Sequence, residues 1–131
     1  MTAKSRARIL IVDDHDVNIA ILEQLLDADY EVKSVMSGEE TIELARIFHP
    51  DLVLLDVMMS GIGGFETCRR MRQDPETVDM KIVMVTAAAT AADRQRGVDC
   101  GSDDFVAKPF GLVQMKLKVD SIVLEVRGEG G

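Results

Sequence analysis

Residues 51–60 read DLVLLDVMMS. The run at 51–55 is apolar on both of its alternating sides, so neither face can meet water. A strand of that kind sits in the middle of a parallel sheet that is covered above and below. Asp56 follows at its far end. Burying an unpaired carboxylate costs several kcal/mol, in order-of-magnitude terms. What flanks this strand therefore decides the fold, and what neutralises Asp56 decides the chemistry.

Apolar runs alternate with helical patterns on both sides of it. RILIV (8–12) is a first strand, and 16–27 has a helical period with Val17, Ile21, Leu22, Leu25 and Leu26 on one side. YEVKSVM (30–36) alternates, as a strand with one exposed face does. Ser37 caps the next helix with Glu40 as its capping-box partner, and Pro50 ends that helix after His49. A glycine-rich loop, SGIGG, follows the central strand, and a helix runs from about Phe65 to Gln73. KIVMVT (81–86) is a second central strand. TAADRQRGVDCG (90–101) is a short helix stopped by glycine, and DFVAK (104–108) is a fifth strand. Residues 110–127 form the last helix. Five strands alternating with five helices give an α/β fold: a doubly wound parallel sheet with right-handed crossovers. One domain is expected over 8–127, with a short extension at 1–7 and a disordered GEGG tail at 128–131.

The chain has 131 residues, 47% of them apolar, with no Trp and one Tyr. Leu, Ile, Val, Met and Ala must build the core. The net charge of −8 opposes direct nucleic-acid or anionic-membrane binding, which need a basic surface. No apolar run approaches the ~18 residues of a spanning helix, and MTAKSRAR is not a signal peptide. A cytoplasmic protein without membrane insertion is expected. Cys68 and Cys100 have no metal spacing and read as two reduced, partly buried thiols.

In sheets of this class, ligands bind beyond the carboxyl ends of the strands. Strand one ends in Asp13 and Asp14, strand three in Asp56, strand four in Thr86, and strand five in Lys108-Pro109. Taken singly, Asp13, Asp14 or Asp16 could cap the first helix, and a Thr at a strand end satisfies β-propensity. Together they place three acids, a hydroxyl and an ammonium on one rim. Three close carboxylates repel one another, and a hard divalent cation removes that cost. Mg²⁺, or Mn²⁺ in its place, takes oxygen ligands and combines one or two carboxylates with phosphate oxygens. Lys108 and Thr86 can meet phosphoryl oxygens. Asp56 is then free to act as a nucleophile and form an aspartyl phosphate.

This constellation resembles the receiver domain of two-component response regulators. The matching stretches are ILIVDDHDVN (9–18), PDLVLLDVMMSGIGGFE (50–66), IVMVTA (82–87) and CGSDDFVAKPF (100–110). The resemblance implies strand order 2-1-3-4-5. It implies Asp56 as phosphoacceptor, Asp14 as a direct Mg²⁺ ligand, Asp13 as a direct or water-bridged one, and the Met58 carbonyl as a further ligand. Thr86 and Lys108 would contact the phosphoryl group, Phe105 would be the switch aromatic, and Lys108-Pro109 would be a cis peptide. The donor would be a histidine kinase or a histidine phosphotransfer protein, in a bacterial phosphorelay. Two positions depart from the family pattern: Ser60 where Pro is usual, and Gly63 where Asp is frequent. SGIGG is accordingly expected to be a looser loop. Met58 and Ala88, two residues past Asp56 and Thr86, cannot orient a water by hydrogen bonding, which implies slow self-dephosphorylation.

The last helix carries two apolar stripes. Leu112, Met115, Val119, Ile122 and Val126 form one; Phe110, Val113, Leu117 and Leu124 form the second, roughly opposite. One stripe covers the sheet, and a second exceeds what a surface helix needs. The second is expected to be an output face, with the fourth helix and fifth strand, for a downstream protein or for homodimerisation. The chain ends after this helix, as a stand-alone receiver does, or as one excised from a longer protein. CRRMRQDP (68–75) and DDHDVN are most similar to receivers fused to diguanylate cyclases or to stand-alone cell-cycle regulators. Three other readings compete. An FMN carrier of the same fold needs a hydroxyl- or glycine-rich loop after strand one, where DDHDVN stands instead. A phosphatase with an Asp nucleophile needs the Asp14/Asp16 spacing and a loop that is absent here. A pseudo-receiver binding module is opposed by the complete set of Asp13, Asp14, Asp56, Thr86 and Lys108.

Overall fold

A computed structural model of the chain describes residues 6–128. Its elements alternate without exception: β1 (Arg8–Val12), α1 (Asp16–Leu26), β2 (Glu31–Val35), α2 (Gly38–Phe48), β3 (Leu52–Leu55), α3 (Gly63–Gln73), β4 (Lys81–Thr86), α4 (Ala91–Cys100), β5 (Asp104–Ala107) and α5 (Leu112–Arg127). The strands form one parallel sheet in the order β2-β1-β3-β4-β5. The expected extension and tail fall largely outside the described residues; Gly128 closes α5 in the left-handed conformation. Among the described residues, no helix is long and apolar enough to cross a membrane.

The central position of residues 51–55 follows from their burial. Every residue of β3 is buried, and its period-two alternation feeds two separate cores. Leu52 and Leu54 join Ile9, Ile11, Val83 and Val85 beneath α1 and α5. Val53 and Leu55 join Leu10, Val12, Ile82 and Met84 beneath α2 and α3. At the edge, β2 shows the expected half-exposed pattern.

Several local expectations need correction. In α1 the buried residues are Ile19, Leu22 and Leu26, whereas Val17 and Ile21 face solvent. In α5 the buried stripe is Met115, Val119 and Val123, while Leu112 and Val126 are exposed. In α5 the cause is length. A 16-residue helix is about 24 Å long, whereas the four residues of β5 span about 13 Å. Both ends of α5 therefore overhang the sheet. The loop after β3 is also shorter than expected, because α3 opens at Gly63 rather than Phe65. Gly64 allows this: a Cβ there would lie 2.3 Å from the Asp56 carbonyl oxygen, so only glycine lets the helix start against the end of β3.

Helix ends follow local chemistry. The Ser37 hydroxyl oxygen accepts from the Glu40 amide at 3.2 Å, and His49 ends α2 with φ 53°. Thr90 and Asp93 make a full reciprocal capping box on α4, which sequence reading did not pick out. The thiols of Cys68 and Cys100 are free, the first buried and the second half-buried. Cys68 donates to the Cys100 carbonyl at 3.3 Å.

Candidate functional site

The carboxyl ends of β1, β3, β4 and β5 meet on one rim because parallel strands all point the same way. Asp13 and Asp56 are brought side by side by the β1–β3 pairing: the Asp56 amide donates to the Val12 carbonyl at 3.0 Å. Both carboxylates are buried, at 3% and 4% exposure. Lys108 reaches between them from beyond β5. Its ammonium lies 2.8 Å from Asp13 Oδ2 and 3.0 Å from Asp56 Oδ2. The remaining oxygens are held by backbone donors. The His15 amide donates to Asp13 Oδ1 at 2.9 Å, and the Met58 amide donates to Asp56 Oδ1 at 3.0 Å.

These contacts bias the titration of the pair. Burial works to raise the Asp13 pKa, but the Lys108 ammonium and the His15 amide outweigh it and hold the carboxyl below its ordinary value. Burial likewise works to lower Lys108, and its bonds to Asp13 and Asp56 hold it above its ordinary value. Lys108 and Asp13 are therefore a charged pair at neutral pH.

Asp14 is different. Its Oδ1 is buried and has no hydrogen-bond partner. The His15 Nδ1 lies 3.0 Å away but without hydrogen-bond geometry, and the same nitrogen is 3.2 Å from Asp13 Oδ1. One donor atom from each of Asp13, Asp14, His15 and Asp56 lies within 4.8 Å of the others. An orphaned, desolvated carboxylate oxygen beside two more carboxylates is the donor set a hard divalent cation takes. His15 was not among the sequence candidates. Its side chain is one of the few polar groups directly after Asp13-Asp14, which is the only signal that could have found it. None of Asp13, Asp14 or Asp16 caps α1: the N-cap is His15, without a side-chain bond.

The other candidate residues lie around this cluster or on the faces beside it. Thr86 is fully buried, and its hydroxyl oxygen accepts from the Ala88 amide at 3.1 Å. The Lys108-Pro109 bond is cis. Met58 is exposed beside Asp56. Phe105 is half-buried, with the Arg94 guanidinium 4.9 Å from its ring centre. Of the expected output face, Val113, Leu117 and Leu124 are exposed, whereas Phe110 packs against the α1–α5 core. A depression of about 500 Å³ next to Lys108 is lined by Asn18, Ile21, Leu22, Ala87, Pro109, Phe110 and Leu112. Ile21 and Leu112, both exposed, stand in its wall.

The family described as "Response regulator receiver domain" matches residues 9–120. Response regulator PleD of Caulobacter vibrioides is 41% identical over 117 residues; the match covers 88% of this chain and 26% of PleD, so the chain spans about a quarter of that relative. The crystal structure of a response regulator from Chloroflexus aurantiacus superposes with a TM-score of 0.84 at 36% identity, over 90% of this chain and 98% of that one. The receiver domain of the sensor histidine kinase PA1611 from Pseudomonas aeruginosa gives 0.81 at 26% identity, over 95% and 99%. That structure carries a magnesium ion coordinated in its active-site cleft.

Proposed function

The chain belongs to the response regulator receiver domain family, and on that premise we propose that it is a working phosphoacceptor with Asp56 as the phosphorylated residue. The observation that carries this is the Lys108 ammonium bridging Asp13 and Asp56 beside the unpartnered Asp14 oxygen. Such a site has a placed nucleophile, one fixed cation, and a surplus of negative charge that a divalent ion would balance. Asp13, Asp14 and Asp56, with the Met58 carbonyl, would hold Mg²⁺, which supplies neutralisation of phosphoryl oxygen charge when bound.

The residues divide the work. A carboxylate oxygen of Asp56 attacks phosphorus, forming an acyl-phosphate O–P bond as the donor's N–P bond breaks and the imidazole leaves. Lys108 adds positive charge at one phosphoryl oxygen. The Thr86 hydroxyl, now an acceptor for Ala88, turns to donate to another. That turn draws on the β4–α4 segment and on Phe105, which favours a second arrangement of the α4–β5–α5 face. Val113, Leu117 and Leu124 on that face would receive a downstream protein or a second copy. The depression between α1 and α5 opens beside Lys108, where a histidine kinase or phosphotransfer protein can present its imidazole. Met58 and Ala88 give no hydrogen bond to an attacking water, so the acyl phosphate is long-lived.

Intact mass after incubation with acetyl phosphate and Mg²⁺ tests the assignment. One added phosphoryl group is expected in the wild type and none in Asp56→Asn or with metal chelated. An adduct that persists in Asp56→Asn would place the acceptor elsewhere. A half-life of seconds for the adduct would contradict the roles given to Met58 and Ala88.

A further inference from the structure

The site differs from an all-oxygen magnesium site by one atom, the Nδ1 of His15. We propose that His15 is a fourth side-chain donor of this site and makes it favour first-row transition ions that take imidazole, such as Ni²⁺, over Mg²⁺. The inference rests on the reading that Asp13, Asp14 and Asp56 hold a divalent cation.

Three observations support it. The Nδ1 lies 3.0 Å from Asp14 Oδ1 and 3.2 Å from Asp13 Oδ1. An octahedral ion with bonds of 2.0–2.1 Å has neighbouring donors about 3 Å apart, so the ring nitrogen already stands from each carboxylate oxygen as an adjacent ligand would. Next, Asp14 Oδ1 is buried and has no hydrogen bond, although His15 Nδ1 is within reach. The ring nitrogen is hydrogen-bonded to Asp13 Oδ1 at 3.2 Å and leaves Asp14 Oδ1 unsatisfied, so a cation held among the three would satisfy an oxygen that a proton on the ring does not. Finally, the position is fixed by the backbone: the His15 amide is tied to Asp13 Oδ1 at 2.9 Å, and His15 is the N-cap of α1. Carboxylate and carbonyl donors suit Mg²⁺ and Mn²⁺, whereas adding imidazole shifts a site along the series toward Co²⁺, Ni²⁺ and Zn²⁺.

The ring is exposed, so removing it leaves the fold intact. The test is calorimetric titration of the whole chain with Ni²⁺ and with Mg²⁺ at about pH 8, above the ordinary imidazole range. Wild type, His15→Ala, His49→Ala and Asp14→Asn are compared. His15→Ala should weaken Ni²⁺ by roughly 10-fold or more, at least what losing an outer-shell partner costs a metal site. It should leave the Mg²⁺ constant within about twofold, the pattern expected of an oxygen-seeking ion. His49→Ala, at the opposite end of the sheet, should change neither. An unchanged Ni²⁺ constant in His15→Ala, or an equal loss for both ions, would overturn the proposal. If wild type and Asp14→Asn bind Mg²⁺ alike, the failure lies instead with the cation site itself.

Discussion

The two ends of this sheet handle charge in opposite ways. At the amino end, Asp51 and Asp103 each have a cation and a backbone donor. Asp51 accepts from the Arg8 amide at 2.9 Å and from Arg127 at 3.3 Å. Asp103 accepts from Arg72 at 2.8 Å and from the Ile82 amide at 2.9 Å. At the carboxyl end, three carboxylates share the Lys108 ammonium and an exposed imidazole. At the first end the charge of Asp51 and Asp103 is matched, and their bonds tie distant parts of the chain together. The second is left with a surplus of negative charge that a cation would relieve, and under the function proposed above that surplus would prepare Asp56 for an incoming phosphoryl group. Stability and function are thus divided along the strand direction.

Substituting the central cation at each end is the most direct way to break this comparison. Lys108→Met leaves Asp13 and Asp56 buried without their ammonium and should cost about 3 kcal/mol in chelator. Mg²⁺ should return part of that loss. Arg72→Ala removes bonds to the Gly101, Val78 and Met80 carbonyls and to Asp103, and should cost about 2 kcal/mol. Here Mg²⁺ should make no difference beyond its effect on wild type. Urea denaturation with and without Mg²⁺ measures both. If Mg²⁺ rescues both variants equally, the two ends are not distinct.

A smaller effect has the opposite sign. Asp14→Asn removes repulsion at the carboxyl end without breaking a hydrogen bond of Oδ1, which makes none. It should raise stability in chelator by about 0.5–1 kcal/mol and abolish the gain from Mg²⁺. A fall in the denaturation midpoint would mean that Asp14 is structurally paired. Ser60→Pro tests the same end without touching its charge. Ser60 precedes Gly61, which has φ 80°, and proline is accepted ahead of a positive-φ glycine in a turn. A gain of roughly 0.4–1 kcal/mol is expected through the unfolded state, the same with and without Mg²⁺. An unchanged or lower midpoint would refute it.

The asymmetry between the ends also explains what could be read from the sequence. The rim was legible because parallel strands end together, so Asp13, Asp14, Asp56, Thr86 and Lys108 could be gathered from strand ends alone. The amino-end pairs were not, because Arg72 reaches Gly101 and Asp103 across 29 and 31 positions, and no local pattern encodes that reach. His15 was missed because a single His after two acids reads as the start of a helix. Val17 and Ile21 were misassigned because α1 carries apolar residues on two nearly opposite faces and period alone does not say which one is buried. Leu112 and Val126 were assigned to a buried face because helical period gives direction but not where the sheet stops. Val123 replaced Val126 in the α5 stripe for the same reason.

The finest distinction is pH. Away from the rim, Asp120 ties α5 to the start of β2 by accepting from the Tyr30 hydroxyl and from Lys116 at 2.9 Å. Burial works to raise its pKa, but these two donors outweigh it and hold the carboxyl below the ordinary 3.8. The folded protein therefore binds this proton less readily than the unfolded chain. Its contribution is complete above the ordinary carboxylate range and is lost as pH falls through the lower folded value. Asp120→Asn should accordingly show a shallower fall in urea midpoint than wild type as pH is lowered from about 6 to about 3. The difference should be unaffected by Mg²⁺, because Asp120 belongs to the balanced part of the molecule. Parallel acid limbs for the two proteins would show that the bonds to Tyr30 and Lys116 persist in the unfolded chain or contribute nothing in the folded one. A difference that Mg²⁺ erased would tie this clamp to the rim and end the separation between the two regions.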